Sequence, residues 1–259
     1  MCHKILERMK LISLNTWGGR AGKEKLLTFF EKHKDVDIFC LQEIWNGGEH
    51  MLSESAGGMK LEGATPQLLK GIEGVLSKHT SYFKPHFYDF FGLTMFVKKE
   101  FNVVEEGDIF VHKENGYISS ENLGNHARNL QYITIDTLAG PRTILNLHGL
   151  WNGGGKSDSE DRLLQSDNIV RFLQNVTNPH VLCGDFNLLP DTESLKKLET
   201  FGLRNLIKEY GITSTRTSYY TKEHKFADYT LVSEGIEVKD FKILPDEVSD
   251  HSAMYLEFE

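Results

Sequence analysis

The chain has 259 residues, enough for one large domain with a sizeable hydrophobic core. Hydrophobic residues make up 39% and charged residues 25% of the sequence, a balance typical of soluble globular proteins. The formal net charge of −8 argues against broad, sequence-independent binding to a long polyanion, although it is compatible with a small phosphorylated substrate.

Short runs typical of β-strands recur along the whole chain. They predict strands at 10–16, 36–43, 93–99, 102–111, 130–138, 142–148, 180–186, 227–233, 238–244 and 252–258. Apolar residues at helical spacing predict fewer helices, at 22–33, 67–79, 159–176 and 192–202. The glycine-rich, polar residues 44–64 predict a long loop and not a domain boundary.

The pattern of these elements predicts one α/β domain over residues 1–259. Several strands are apolar on both faces, as in residues 38–41, which indicates sheets that are covered on both sides. Most strands follow one another as hairpins do, with few helices between them. We therefore expect two mostly antiparallel sheets packed face to face with helices outside.

The cysteines and the first residues bear on the compartment. Cys2, Cys40 and Cys183 are widely spaced, without a disulfide framework or a C-x-x-C pair, and the last two lie in apolar runs that predict buried thiols. The first residues lack the apolar stretch of a signal peptide, and no apolar run is long enough to span a bilayer. These observations predict a cytoplasmic protein without a transmembrane segment.

The stretch LCGDFNLLP at 182–190 ends an apolar strand with two polar residues. Asp185 and Asn187 are two positions apart, so in an extended chain their side chains point to the same face. Turn chemistry is one explanation, because aspartate and asparagine are common in turns. A functional site is the other, and the remaining strand ends help to decide between them.

Unusual polar residues occur at several further strand ends. The whole set is Asn15, Glu43, His148, Asp185, Asn187, Asp250 and His251, together with Asp228 inside an otherwise apolar strand. A carboxylate inside such a strand is costly unless it is paired or functional. A solvated strand end would explain Glu43, and a pair with Lys225 would explain Asp228. The joint occurrence of these residues nevertheless favours a site.

These side chains fit the hydrolysis of a phosphate ester, which needs a cation, a group that activates water, and donors to the phosphate oxygens. Glu43 and Asp250 offer the hard oxygen ligands that Mg²⁺ prefers, with Mn²⁺ as a substitute. Asp185 can orient or deprotonate the attacking water. Asn187 can donate its amide to the phosphate.

Two histidines supply the remaining donors. His148 and His251 donate to phosphate oxygens when they are protonated, and neighbouring carboxylates would favour that form. The alternative for His148 is a hydrogen-bonded core histidine, the more common fate of a lone histidine. The alternative for the SDHS sequence around His251 is a turn that leads into the last strand.

Six motifs, in this order, resemble the motif series of the endonuclease/exonuclease/phosphatase superfamily, the deoxyribonuclease-I-like fold. They are LNTWG, DIFCLQEIW, NLHG, LCGDFN, FADYTLVS and SDHSAM, and they span roughly residues 10–258. The most specific parts are the Gln-Glu after an apolar strand, the Gly-Asp-x-Asn and the Ser-Asp-His. The resemblance implies a four-layered α-β-β-α sandwich and a magnesium-dependent phosphohydrolase.

The resemblance also implies a role for each matching residue. Glu43 would hold the metal with help from Asn15 and Asp250. Asp185 and Asn187 would sit at the attacking water and the phosphate.

For the histidines, the resemblance implies that His251 contacts the phosphate and is oriented by Asp228. His148 would occupy the family's second histidine position. Some members carry a carboxylate partner for this histidine on the strand that matches 93–99, but GLTMFVKK offers none. Asp89 is near in sequence.

Two further residues are candidate substrate contacts. By analogy with arginines that enter this region in relatives, Arg128 is expected to contact phosphate, with an ordinary surface position as the alternative. Trp17, Trp45 and Trp151 each follow a polar strand-terminal residue within three positions, in glycine-rich loops. Such a loop, with Trp151 for example, could stack a base or a sugar, or shape the rim of the site.

The superfamily contains several reactions, and fold analogy does not choose among them. We expect a magnesium-dependent phosphodiesterase or phosphatase acting on a phosphorylated substrate. A nuclease acting on DNA or RNA is the alternative, and a non-catalytic binding module is the third interpretation, disfavoured because every chemical position is filled. A basic patch on the folded protein would favour the nuclease over the phosphodiesterase or phosphatase. Such a patch would have to assemble from scattered residues such as Lys23, Lys156, Arg216 and Lys225.

Overall fold

The structure is a computed structural model that describes residues 8–51, 55–56, 59–60, 62–121 and 124–259. Its strands are β1 (Met9–Asn15), β2 (Ile38–Trp45), β3 (Ser55–Ala56), β4 (Met59–Lys60), β5 (His79–Phe87), β6 (Phe91–Lys98), β7 (Asn102–His112), β8 (Arg128–Asp136), β9 (Arg142–His148), β10 (His180–Asp185), β11 (Arg204–Asn205), β12 (Asp228–Val232), β13 (Val238–Ile243) and β14 (Met254–Phe258). Its α-helices are α1 (Lys23–Lys32), α2 (Leu68–Val75), α3 (Glu160–Leu173), α4 (Glu193–Thr200) and α5 (Leu206–Glu209), and Trp17–Gly19 and Glu49–Met51 form 3₁₀ turns.

Twelve of the described strands form two six-stranded mixed sheets, in the orders β13-β14-β1-β2-β6-β5 and β11-β12-β10-β9-β8-β7, and β3 pairs with β4. Each sheet contains one parallel pair at its centre, β1 with β2 and β9 with β10, and its other pairs are antiparallel. Within each parallel pair the chain returns through a helix, α1 or α3, as parallel strands require. The expected pair of facing, mostly antiparallel sheets is confirmed.

Apolar residues on both faces of the sheets produce the four layers. In β1, Leu11 belongs to the core that is shared with the second sheet, whereas the next residue, Ile12, packs in a second cluster with α1 and α2. On the other side, Ile169 of α3 and Leu195 of α4 join the core of the second sheet. This alternation follows from the two-residue period of a strand, and it confirms the α-β-β-α sandwich.

The parallel pairs bring the predicted polar residues to one edge. The register places Asn15 beside Gln42 at the end of β1 and β2, and His148 beside Asp185 at the end of β9 and β10. Gly184 allows this close pairing, because a Cβ atom there would lie 2.0 Å from the carbonyl oxygen of Leu147. The carboxyl ends of both parallel pairs therefore meet above the interface of the two sheets.

Three local expectations need correction or comment. Residues 44–64 are not one loop, since they contain the end of β2, a 3₁₀ turn and the paired strands β3 and β4, while 52–54, 57–58 and 61 lie outside the described residues. Asp228 begins β12, opposite Asp185, and does not lie inside the strand. Cys40 and Cys183 are buried free thiols as predicted, and Cys2 lies outside the described residues.

Within the described part of the chain, no helix is long and apolar enough to cross a membrane.

Candidate active site

A cavity of about 310 Å³ opens at the edge where the parallel strands end. Predicted site residues form much of its wall, namely Glu43, Arg128, His148, Trp151, Asp185, Asn187, Asp250 and His251. Residues that the sequence did not single out as functional complete the lining: Arg20, Phe87, Phe91, Gly124, His126, Tyr220 and Lys222. The cavity also includes Trp17, Trp45, Lys156 and Arg216.

Asn15 joins two carboxylates across the sheets. Its amide nitrogen Nδ2 donates to Glu43 Oε1 at 3.1 Å and to Asp185 Oδ2 at 2.9 Å. Its oxygen Oδ1 accepts from the backbone N–H of Trp17 at 2.9 Å. The nitrogen of Asn15 therefore orients Glu43 and Asp185, and Oδ1 keeps a second lone pair.

Asp185 and Asn187 do meet at the site, but not by strand alternation. β10 ends at Asp185, and the backbone N–H of Asn187 donates to Asp185 Oδ1 at 2.9 Å, which closes a tight Asx turn. Asn187 adopts a left-handed conformation with φ of 54°, and Phe186 between them is buried against Tyr229. The extended-chain explanation is therefore wrong, and the turn is what directs both side chains to the cavity.

Asp228 and His251 form a buried pair. His251 Nδ1 lies 2.8 Å and 3.0 Å from the two carboxylate oxygens of Asp228, and Thr215 Oγ1 donates to Asp228 Oδ2 at 2.9 Å. Burial raises the pKa of Asp228 to about 6. Burial and then Arg216 lower the pKa of His251 to about 4. The sequence predicts that carboxylates favour protonated His251, whereas in the structure burial outweighs them and the ring is neutral at pH 7.

Glu43 and Asp250 offer oxygens for a hard cation. Asp250 Oδ2 accepts from Arg216 Nη1 at 2.9 Å, whereas its buried Oδ1 has no hydrogen-bond partner among the described residues. Burial raises the pKa of Asp250, as expected for a carboxylate that lacks a full set of partners. Glu43 sits at an irregularity of β2 with φ of 57°, and its Oε2 lies 3.5 Å from Arg20 Nη1. This set of carboxylate oxygens fits the ligand preference of Mg²⁺.

A second group of possible metal ligands lies beside Glu43 and Asp250. Within the described residues, Asp185, Asp228 and His251 place one ligand atom each within 4.8 Å of the others. Asp228 and His251 already bind each other, and His251 Nε2 lies 3.6 Å from Asp185 Oδ2. Within this group only Asp228 and His251 are hydrogen-bonded to each other, and Asp185 lies just beyond hydrogen-bond distance of the ring.

His148 lies beside Asp185 but without a carboxylate behind it. Its Nε2 is 3.8 Å from Asp185 Oδ2, and its buried Nδ1 finds no hydrogen-bond partner in the described part of the chain. Asp89 lies exposed in the turn between β5 and β6 and does not line the cavity. Burial, with Arg128 and His86 next in size, holds the pKa of His148 well below its usual value, so the expected protonated form does not apply to this site either.

Two buried cations, Arg128 and Lys156, face the cavity. Arg128 is buried, donates to Gly124 O at 3.0 Å, and leaves Nε and Nη1 without hydrogen-bond partners among the described residues. Lys156 is also buried, with Nζ 2.8 Å from Phe226 O, and burial lowers its pKa to about 8. Burial likewise lowers the pKa of Arg128 to about 10. Among the described residues, neither of these two charges has a carboxylate within ion-pair distance, although buried cations usually have one.

The basic patch considered from the sequence assembles in part. Lys156 and Arg216 meet at the cavity around Tyr220, whose ring centre lies 5.1 Å from Lys156 Nζ and 4.2 Å from Arg216 Cζ. Lys23 and Lys225 are exposed and do not line it. Lys156 and Arg216 therefore belong to the cavity, and Lys23 and Lys225 do not extend this basic patch beyond it.

The tryptophans divide by position. Trp151 lines the cavity, with Lys222 Nζ 5.7 Å from its ring centre, and Trp17 packs 6.3 Å from the ring of Tyr219 at the rim. Trp45 is buried and stacks on Phe90 at 5.8 Å, which makes it mainly a core residue.

Arg162, which the sequence did not single out, fixes the loop that carries Trp151 and Lys156. Its buried guanidinium donates to the backbone oxygens of Leu150 at 3.4 Å and Gly155 at 2.6 Å. Only the fold reveals this role, because the arginine lies on α3 and its partners are backbone atoms of the preceding loop.

Comparisons with known proteins agree with this fold. The profile of the Endonuclease/Exonuclease/phosphatase family matches residues 12–251, and the comparison with curated protein sequences finds no match. Similar solved structures include the mannosyl-6-phosphatase of Bacteroides thetaiotaomicron, at 17% identity and a TM-score of 0.73, over 97% of this chain and 99% of that chain. Another is TDP2 of D. rerio in complex with a single-strand DNA product, at 14% identity and a TM-score of 0.68, over 98% and 99%.

The human Nocturnin catalytic domain with a bound sulfate anion is also similar, at 18% identity and a TM-score of 0.65, over 97% of this chain and 93% of that chain. At these identities the structures show a shared fold, whereas the profile match covers most of the sequence. The chain belongs to the Endonuclease/Exonuclease/phosphatase family, whose members hydrolyse phosphoesters.

Proposed function

We propose that this protein is a magnesium-dependent hydrolase that cleaves a phosphate ester of a compact substrate by attack of water. The observation that carries the proposal is the convergence of three carboxylates, Glu43, Asp185 and Asp250, with two buried cations in one cavity. Carboxylates suit a metal ion and a base, and unpaired cations suit a phosphate. The names of the similar structures support the same class of chemistry, since they include a phosphatase and a DNA-product complex.

Mg²⁺, or Mn²⁺ in its place, would be held by Glu43 and Asp250, where it would neutralise charge on the phosphate and orient water. Asp185 would accept the proton of the attacking water, because its carboxylate is buried at the cavity wall and held by two hydrogen-bond donors. Asn15 would hold Glu43 and Asp185 at a fixed separation through its amide nitrogen.

The donors to phosphate would come from the other side of the cavity. Asn187 Nδ2 lies 3.3 Å from Gly149 O, and the amide can donate its second hydrogen to a phosphate oxygen. His251 is neutral in the absence of substrate, and Asp228 accepts the hydrogen of its Nδ1. A phosphate dianion brought next to Nε2 would favour the protonated ring, which then donates from Nε2 to a phosphate oxygen.

The distribution of charge supports a compact substrate. Five cationic side chains and three carboxylates line the cavity, which leaves two positive charges in excess, whereas the whole chain carries −8. The rest of the molecule therefore carries −10. An acidic surface repels a long polyanion, while the positive cavity attracts a small anion.

A nuclease that acts on a strand end is the second candidate. The observation that favours it is the presence of Trp17 and Trp151 in the cavity wall, where an indole ring could stack on a terminal base. The charge argument ranks it below a small phosphorylated compound.

The test is hydrolysis of p-nitrophenyl phosphate and bis-p-nitrophenyl phosphate, with Mg²⁺ and with a chelator, by the wild-type protein and by His251→Ala. Magnesium-dependent cleavage that His251→Ala loses is the expected result, and the preferred substrate separates a phosphatase from a phosphodiesterase. A parallel assay uses a short single-stranded oligonucleotide with a terminal phosphate. Cleavage of the oligonucleotide alone would favour the second candidate. Turnover that is equal in the chelator would contradict the magnesium-dependent proposal.

A further inference from the structure

His148 has an unexplained neighbour. The buried ring of His86 lies with its centre 5.7 Å from that of His148, at an angle of 63°. Two nitrogens on these rings, His86 Nε2 and His148 Nδ1, are buried without hydrogen-bond partners among the described residues. Buried polar atoms are rarely left unpaired, so this pair needs an explanation.

The backbone of β5 is shaped to put His86 at this position. The register between β5 and β6 shifts at Pro85–Phe87, so His86 sits in a β-bulge. Gly92 on β6 permits the close approach of the bulged strand, because a Cβ atom there would lie 2.3 Å from Lys84 O. Bulges commonly redirect a side chain next to an active site, and this one directs His86 between the sheets.

The protonation of His86 follows from its other partner. Asn129 Nδ2 donates to Asp108 Oδ2 at 2.9 Å, so the amide oxygen Oδ1 of Asn129 is the atom that faces His86 Nδ1, at 2.8 Å. An amide oxygen only accepts, which means that His86 Nδ1 carries the hydrogen. Burial and then Arg128 lower the pKa of His86 to about 3, so the ring is neutral and its Nε2 is a bare acceptor.

We propose that His86 is a positioning residue for His148, accepting a hydrogen bond from His148 Nδ1 at His86 Nε2. An N–H···N bond of about 3 Å places two imidazole centres roughly 5 to 5.5 Å apart, close to the 5.7 Å between these rings, so the bond forms once the two unpaired nitrogens turn towards each other. The bond fixes the His148 tautomer with hydrogen on Nδ1 and leaves the lone pair of Nε2 towards Asp185 and the cavity. In this form, His148 accepts a proton or a hydrogen bond at Nε2.

The hydrogen-bonded series Asp108–Asn129–His86 thus takes the place of the carboxylate that supports the histidine matching His148 in some members of the family. A neutral partner has a consequence for Arg128, whose charge is close enough to lower the pKa of both histidines. A carboxylate at this place would attract the Arg128 guanidinium, whereas a neutral imidazole does not compete with an anion for it. The catalytic consequence rests on the proposed function, but the tautomer itself does not.

The first experiment is ¹⁵N NMR of histidine-labelled protein, in which a hydrogen-bearing imidazole nitrogen is distinguished from a bare one. The variants are His86→Phe, which removes the acceptor, and His86→Gln, whose amide can donate to Asn129 and accept from His148. His79→Phe is the matched control, since His79 is also buried on β5 but its one hydrogen bond among the described residues is to Val36 O, at 2.8 Å. We expect hydrogen on His148 Nδ1 in the wild-type protein, loss of that state in His86→Phe, and its retention in His86→Gln and His79→Phe.

Kinetics provide the second readout. We expect kcat in His86→Phe to fall about 10- to 100-fold with little change in KM, as is usual when the partner of an active-site ligand or base is removed. His86→Gln should restore most of the lost rate. Hydrogen on Nε2 of wild-type His148, or an unchanged His148 tautomer in His86→Phe, would overturn the proposal even if the enzyme is active. Conversely, the expected tautomers in a protein without hydrolase activity would uphold the proposal and reject the proposed function.

Discussion

Asn15 Nδ2 lies 2.9 Å from Asp185 Oδ2, so the last residue of β1 donates directly to the last residue of β10 on the opposite sheet. The same nitrogen donates to Glu43, at the end of the neighbouring parallel strand. One buried amide therefore connects the proposed metal ligand with the proposed base. The relative position of the two sheets is thereby coupled to the geometry of the site, which explains why the cavity lies above the central strands.

Asp185→Asn tests the proposed base. We expect kcat to fall about 100- to 10,000-fold, because the amide cannot take the proton of the attacking water. Mg²⁺ binding, measured by calorimetry, should persist, since Glu43 and Asp250 remain. Asp191→Asn, an exposed change six residues further on, is the control and should leave both quantities unaltered. An Asp185→Asn enzyme with near wild-type kcat would remove the residue from the mechanism.

Most of the predicted site residues follow from simple periodicity. Apolar strands that end in polar residues point to one edge of a sandwich, and Asn15, His148 and Asp185 do meet there. The sheets themselves follow from runs such as 38–41, which are apolar on both faces. These features are local in the sequence, so one chain is enough to predict them.

Other features depend on irregular backbone or on long-range burial. His86 reaches the site through a bulge, and Tyr220 through a loop without a strand or helix pattern. The Asx turn at Asn187 replaces the alternation that the sequence suggested. His251 is neutral mainly because its ring is buried. Burial depends on contacts between residues that are far apart in the sequence, so the residues next to His251 do not predict it. Periodicity describes regular elements, and these positions are exceptions to it.

Glu43→Ala tests the proposed metal ligand. We expect the Mg²⁺ concentration for half-maximal activity to rise roughly 10-fold or more, because one carboxylate ligand is lost. Measurement of activity against Mg²⁺ concentration checks this. Glu43→Gln should behave similarly while it keeps the shape of the side chain, and the exposed change Glu49→Gln should have no effect. An unaltered magnesium titration in both Glu43 variants would assign the metal to other residues.

Arg128→Met tests the proposed anion contact. The guanidinium is buried and leaves two nitrogens unpaired in the described structure, so we expect it to bind the substrate phosphate. Loss of a charge-assisted hydrogen bond costs about 1.5 to 3 kcal/mol, which corresponds to a rise in KM of about 10- to 150-fold. Inorganic phosphate should inhibit the variant correspondingly less. The exposed Arg171→Met is the control, and equal phosphate inhibition of Arg128→Met and wild type would refute the contact.

Lys156→Met tests whether the buried ammonium group of Lys156 lowers the free energy of unfolding. Burial lowers the pKa of Lys156 from 10.5 to about 8, so the folded protein disfavours the charged amine, and this penalty is fully present below about pH 8. Removing the buried charge should raise the free energy of unfolding by up to about 3 kcal/mol. Losing the hydrogen bond to Phe226 O should lower it by about 1 kcal/mol. We therefore expect the free energy of unfolding at pH 7 to rise by about 1 to 2 kcal/mol in the variant.

The pH dependence separates this explanation from a simple packing effect. As the pH rises from 8 towards 10.5, the folded protein has lost the Lys156 proton while the unfolded chain still holds it, so the wild-type protein recovers stability and the advantage of Lys156→Met should shrink. Urea unfolding of both proteins at pH 7 and pH 9.5 measures this. A packing effect would give the same difference at both values, and a variant less stable than wild type at pH 7 would contradict the penalty itself. A more stable variant at pH 7 would show that the buried cation is not retained for the stability of the fold.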